Sequence, residues 1–209
     1  PLSVTAPAGI HVRSMGATNV LLLSSANGPV SLETRGTASI TRIQAANGTV
    51  YIFSDGAILD GHGSAAVTSA AGAQVVALAA VMRAATGIGT SADALETSLK
   101  RLEARSFASM YVKNFGDMIV GGIDDGFEGV HATGSLQLTL ASTLTVDEAI
   151  ASDGLDILLQ ASEGIVVNRD VSSSGGTITV RAGTYVTMKD GTTMDAGSGT
   201  IDILATGDI

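Results

Sequence analysis

Ala26-Asn27-Gly28-Pro29-Val30-Ser31-Leu32 returns twenty residues later as Ala46-Asn47-Gly48-Thr49-Val50-Tyr51-Ile52. The Asn-Gly pair keeps its place, and so does the apolar-x-apolar pair behind it. Gly16, Gly36 and Gly56 hold the same shift of 20. Outward from this stretch, the pairs Ile10/Val12, Val20/Leu22, Val30/Leu32, Ile40/Ile43 and Val50/Ile52 start every ten residues, the fourth one residue wider than the rest. Alternation at period two turns both members of a pair to one side of a strand. Two such strands in every 20-residue turn mark a solenoid. Asn and Gly tolerate positive φ at little cost and suit its corners. Asn27 is expected to stack on Asn47 and to form a hydrogen-bonded ladder with it.

The C-terminal third carries a longer unit. Leu136/Leu138, Leu155/Ile157, Ile178/Val180 and Ile201/Ile203 read as successive starts, with shifts of 19, 23 and 23. A second pair follows in each coil: Leu144/Val146, Ile165/Val167 and Val186/Met188. A third inward position follows at Ile150, Val171 and Met194. Three inward faces per turn describe a triangular prism. One coil cannot bury its own apolar face, whereas stacked coils bury a continuous aliphatic column. The reading is an all-β, right-handed parallel β-helix of about 20–23 residues per coil, and roughly ten coils give a rod about 45–50 Å long. A β-sandwich has strands at similar spacing, but it does not explain corners repeating in register.

Between Ala57 and Phe107 the cadence breaks. Leu95, Leu99 and Leu102 have helical spacing, and Ser91 or Asp93 would cap a short helix. Alternation through Leu95, Thr97 and Leu99 also fits a strand, which flanking coils would template. Strand is the preferred reading of 94–104. The apolar run Val75 to Met82, bracketed by Gln74 and Arg83, reads as a buried strand. No linker or charge run divides the chain, so residues 1–209 are read as one solenoid segment with irregular coils at about 57–107.

Composition agrees. Hydrophobic residues make up 45% and charged residues 15% of 209 residues, which is too apolar for disorder. The 26 glycines are about 12% of the chain, against the usual ~7%. With aromatics at 3% and no Trp, the core must be built of Val, Ile, Leu and Ala. The net charge of −9 and the absence of a basic patch argue against nucleic acid and anionic membranes as partners. The densest basic stretch, Lys100-Arg101 with Arg105, is interrupted by Glu103. No apolar run reaches the ~20 residues of a membrane span. The absence of cysteine excludes disulfides and thiolate metal sites.

Several motifs carry chemistry only on paper. Gly87-Ile88-Gly89-Thr90-Ser91-Ala92 matches the dinucleotide fingerprint G-x-G-x-x-A, but no further βαβ units accompany it. It reads as a glycine corner. Gly61-His62-Gly63-Ser64 lacks the nucleophile-elbow spacing. His11, His62 and His131 have no metal-ligand spacing. Asp153 and Asp156, with Arg169 and Asp170 under one coil later, are the best candidates for an acid–base cluster of the polysaccharide-cleaving kind; solvated outward charges are preferred. Asp124-Asp125-Gly126 resembles the start of a calcium loop without its full spacing and reads as a surface turn. The threonines at 143/145, 177/179 and 192–193 do not repeat in one register and read as ordinary β-formers. No catalytic, cofactor-binding or metal residue is therefore assigned, and no cofactor is expected.

Asp55-Gly56-Ala57-Ile58-Leu59-Asp60, Ala85-Thr86-Gly87-Ile88-Gly89-Thr90 and Leu95-Glu96-Thr97 resemble phrases of giant bacterial filamentous haemagglutinin-like adhesins. So does the Gly-x-Ile-x-Ile style of the later coils. The likeness runs over about residues 9–209. The resemblance implies a β-helical shaft, secretion or a bacterial cell-surface location, and a role in adhesion or cell contact. The alternative is a β-helical carbohydrate-active enzyme or carbohydrate binder, which a groove lined by acids, bases and Tyr111 or Tyr185 would favour. The opening Pro1-Leu2-Ser3 and the closing Thr206-Gly207-Asp208-Ile209 read as cuts through a longer array. The expected partners are flanking coils of the same parent, a host or neighbouring cell surface, and other copies stacked end to end at an uncapped strand Ile201 to Leu204.

Overall fold

A computed structural model describes residues 1–63 and 67–208. It is all-β: about ten stacked coils of about 21 residues form one parallel ladder. The one helical turn among the described residues is the 3₁₀ segment Ala70–Gly72. No helix there is long and apolar enough to cross a membrane. A regular coil is clearest at Leu136–Leu140, Leu144–Val146 and Ile150–Ser152, one strand per face. Each strand pairs in parallel with the equivalent strand one coil on, at Ile157–Ala161, Ile165–Val167 and Val171–Ser173.

The pairing makes columns out of the sequence. Ile52, Met82, Ala104, Val130, Ile150, Val171 and Met194 lie one above another on the third face. From Ile52 to Val171 every member is buried. Aliphatic side chains and methionine fill this narrow interior without aromatics. The next inward column is small, with hydroxyl residues interrupted by Ala84 and Ala132. Thr34, Ser54, Ser106, Ser152 and Ser173 are buried, and their hydroxyls close the corner. Ser54 donates to the carbonyls of Gly36 (2.9 Å) and Ala57 (3.1 Å). Ser152 donates to those of Gly134 (3.1 Å) and Leu155 (2.8 Å). A corner leaves backbone groups without ladder partners, and these side chains satisfy them.

Five details of the sequence reading change. The second inward residue after Val20 is Leu23, fully buried, and not Leu22; Val20/Leu23 thus matches the wider pair Ile40/Ile43. Leu155 is 51% exposed, and Ile157 stands in register with Leu136 and Ile178. The true shifts are 21, 21 and 23, because Leu136, Ile157, Ile178 and Ile201 form the column. A slip of two residues preserves which side chains face inward, so alternation alone did not reveal it. Met188 and Ile201 are exposed.

The Asn ladder does not form. Neither Asn27 nor Asn47 makes a side-chain hydrogen bond among the described residues, and neither has positive φ. The segment instead passes the corner within the continuous strands Thr18–Thr34 and Ile43–Ser54. Glycine is needed there for closeness: a Cβ on Gly48 would lie 2.6 Å from the Gly28 carbonyl oxygen.

The central coils keep the cadence. Ile58, Ile88 and Met110 bridge in parallel, and Leu95–Ser98 and Arg101–Ser106 are strands, as preferred for 94–104. The excursion between Asp60 and Val75 is what disturbs the periodicity of this stretch, and a second excursion follows beyond it, between Val120 and Val130. Val75–Ala84 is a strand, though Leu78 within it is exposed. Ser64 and Ile209, both part of the sequence reading, lie outside the described residues.

The columns predict a sharp contrast between neighbours. Ile157 is wholly buried and Leu158 faces outward beside Gln137 and Thr179. Ile157→Asp should cost about 3–5 kcal/mol, as an unpaired buried charge does. Leu158→Asp should cost about 1 kcal/mol or less. Thermal melts of both variants check this, and equal losses would contradict the assigned facing.

Candidate functional site

The residue immediately before each small corner residue points out of the third face. The resulting outer column runs Arg13, Glu33, Phe53, Arg83, Arg105, His131, Ala151. It gathers residues 13 to 151 of the chain into one stripe whose steps are about 4.8 Å. Phe53 through His131 is the stretch over which the excursion at 121–129 folds back.

Two glutamates, the buried Glu103 and the half-buried Glu148, anchor that excursion. Glu103 occupies an outward position beside Val81, yet both are 0% exposed. Its Oε1 accepts the backbone N–H of Ile123 (2.6 Å), and its Oε2 accepts that of Asp124 (3.0 Å). Glu148 accepts the N–H groups of Gly122 (2.8 Å) and Gly129 (2.7 Å). Arg101 donates to the Gly121 carbonyl (2.8 Å). Asp124 Oδ1 accepts the Gly126 N–H (2.9 Å), so Asp124-Asp125-Gly126 is a surface turn. These bonds hold Phe127 stacked on Phe53, with centroids 6.1 Å apart and planes 11° apart.

Between excursion and column lies a groove of about 610 Å³, lined by Arg83, Arg105, Phe107, Asp125, Phe127 and Glu128 among others. Arg83 also borders a neighbouring hollow with Phe53, Glu33 and Asp55. The Arg83 guanidinium lies 5.6 Å from the Phe53 centroid, and that of Arg105 lies 5.1 Å from Phe107. The column's other arginine is matched, since Arg13 bonds Glu33 at 2.7 Å, and the His131 imidazole lies 2.9 Å from Asp153. Arg83 and Arg105 form no ion pair and donate no side-chain hydrogen bond among the described residues. Arg13 holds the Glu33 carboxyl below its usual range, with Arg83 adding to this from a distance.

A second polar group fixes the other excursion. Asp60, whose side chain is 1% exposed, accepts the His62 N–H at 2.6 Å. Gln74 lies 2.9 Å from His62 Nδ1 and accepts the Glu96 N–H at 2.7 Å. Lys113 reaches Glu96 at 3.9 Å and the Val67 carbonyl at 3.2 Å. Burial pushes the carboxyls of Asp60 and Glu103 up from their ordinary values.

The residues singled out in the sequence are scattered. Asp156 accepts the Thr177 N–H and Asp170 the Thr193 N–H, each at 2.8 Å, fastening a corner to the next coil. Arg169 donates to the Asn168 carbonyl, and Asp153 is taken up by His131. The four do not converge. His11 lies beside Glu33, and the three histidines stand on separate coils. Gly87 and Gly89 have positive φ at a corner followed by a turn, so the strand–loop–helix of a dinucleotide site is missing. Tyr111 and Tyr185 lie outside the groove. The described residues contain no cluster of three or more acidic or histidine side chains arranged to hold a metal. No family model, curated protein or solved structure matches the chain.

Glu103 makes the site's anchoring sensitive to pH. A carboxyl whose folded pKa lies above the unfolded value binds its proton more tightly when folded. Its contribution is fully present below the unfolded value and is lost as pH rises through the folded one. Glu103→Gln should therefore gain stability relative to the parent as pH rises from about 4.3 toward neutrality. Melting temperatures of both proteins across that window are the check; a constant difference would contradict it.

Proposed function

We propose that this chain is a structural and adhesive shaft segment of a large secreted or cell-surface bacterial protein, one that mediates cell contact or attachment. The observation that supports the reading best is the parallel ladder itself, which runs without a change of direction from Leu2 to Ala205. Such a stack is stiff along its axis, and it repeats its outer columns at each coil. The chain is thereby suited to spacing and displaying side chains. The resemblance of Asp55–Asp60 and Ala85–Thr90 to filamentous haemagglutinin-like phrases supplies the surface setting. The dispersal of Asp153, Asp156, Arg169 and Asp170 supports a role without catalysis.

The groove beside Phe127 favours a second reading, a carbohydrate-binding module on the same scaffold. It presents acids, bases and aromatic rings together, although the rings are Phe107 and Phe127 and neither Tyr111 nor Tyr185 lines it.

Beads coated with the folded chain should be retained on cultured cells or on bacterial lawns, and beads coated with the heat-denatured chain should not. Equal retention of the two would contradict the adhesive reading.

A further inference from the structure

We propose that the groove between the Phe53–His131 column and the excursion 121–129 binds a sugar carboxylate, one acidic saccharide unit held by Arg83 and Arg105. The inference names the ligand class for the contact-making role above, and it rests on that reading for the source of the sugar.

Arg83 and Arg105 sit directly opposite each other on paired strands. Like charges in that relation repel across about 4.8 Å. Elsewhere on the column a carboxylate answers Arg13, and another lies against the His131 ring. Here no carboxylate among the described residues pairs with either guanidinium, and ring faces lie against them instead, Phe53 under Arg83 and Phe107 under Arg105. A ring face steadies a guanidinium but leaves its N–H donors free. Two forks set one step apart offer paired donors to a carboxylate, and one anion between them removes the repulsion.

The rest of the groove selects what carries that carboxylate. Asp125 and Glu128 are exposed on its excursion wall and accept hydrogen bonds only. They suit hydroxyl donors and repel further negative charge. Glu33, two steps beyond Arg83, repels it from the other direction. The ligand thus has one anionic group flanked by hydroxyls. This disfavours a phosphodiester chain. The half-buried Phe127 ring and the exposed Phe107 offer flat apolar surface for the C–H face of a sugar ring. A volume of about 610 Å³ suits a small saccharide.

The test uses the folded chain titrated by calorimetry and NMR with D-glucuronate, N-acetylneuraminate and neutral glucose. The acids should bind, shift Phe53, Phe107 and Phe127 resonances, and weaken as salt is added; glucose should not bind. Arg83→Gln and Arg105→Gln should each weaken binding by about tenfold or more, from lost charge-assisted hydrogen bonds. Arg83→Lys keeps the charge, loses the fork and should fall between. Arg181→Gln, outside the groove, should leave binding unchanged. Both arginines are exposed, and unchanged melting temperatures would confirm that the variants fold. No binding of either acid, or equal binding by the arginine variants, overturns the proposal. Inorganic phosphate binding as well as the sugar acids overturns its saccharide part. Saccharide binding without retention of coated beads would sink the adhesive reading alone, and retention that survives both arginine substitutions would sink the groove alone.

Discussion

Parallel hydrogen bonding between successive coils is the constraint on which the rest depends. Every strand must find its N–H and C=O partners about one coil away in sequence, so residues about 21 apart are pressed to within about 4.8 Å. The interior can then hold only thin columns, which is why Val, Ile, Leu, Met and Ala fill it. Corners must be small or hydroxylated, because one corner lies against the next. The Gly28 carbonyl beneath Gly48 and the Ser54 hydroxyl between Gly36 and Ala57 are two results of that closeness. Outward positions are free of these demands, and the chain's individual chemistry collects there.

The fold was largely legible because its two periods, two along a strand and about twenty between coils, both leave marks in the sequence. Phase was less legible. Leu155-Asp156-Ile157-Leu158 and Ile201-Asp202-Ile203-Leu204 look alike, yet Ile157, and not Leu155, stacks on Leu136 and beneath Ile178. What sets the phase is the corner: Ser152 bonds the Leu155 carbonyl and places that residue on the turn. Asn27 and Asn47 misled for a related reason. Their Gly partners answer to close approach, and the asparagines follow without bonding.

The candidate site was not read from the sequence, although a signal for it was there. A search for neighbouring basic residues finds Lys100, Arg101 and Arg105, which face different surroundings. The useful neighbours are Arg83, Arg105 and His131, each standing directly before a corner residue, Ala84, Ser106 or Ala132. Indexing residues by their distance from the corner would have aligned them. The excursion's contribution was harder to foresee. Glu103 reads as an outward acid, and only a folded-back segment with N–H groups to satisfy explains its burial. The same segment brings Phe127 to Phe53 across 74 positions of chain, which no local pattern announces.

Register is the central claim and can be measured directly, because the chain has no cysteine of its own. Gln137 pairs with Leu158 across adjacent coils, whereas a 19-residue coil would set Gln137 beside Asp156. Adjacent parallel partners lie within the Cα range of about 4.4–6.8 Å that a disulfide requires. Cysteines at 137 and 158 should therefore cross-link readily under mild oxidation of the folded protein, and cysteines at 137 and 156 should not. Efficient closure of 137 to 156, with little of 137 to 158, would contradict the 21-residue stacking of these coils.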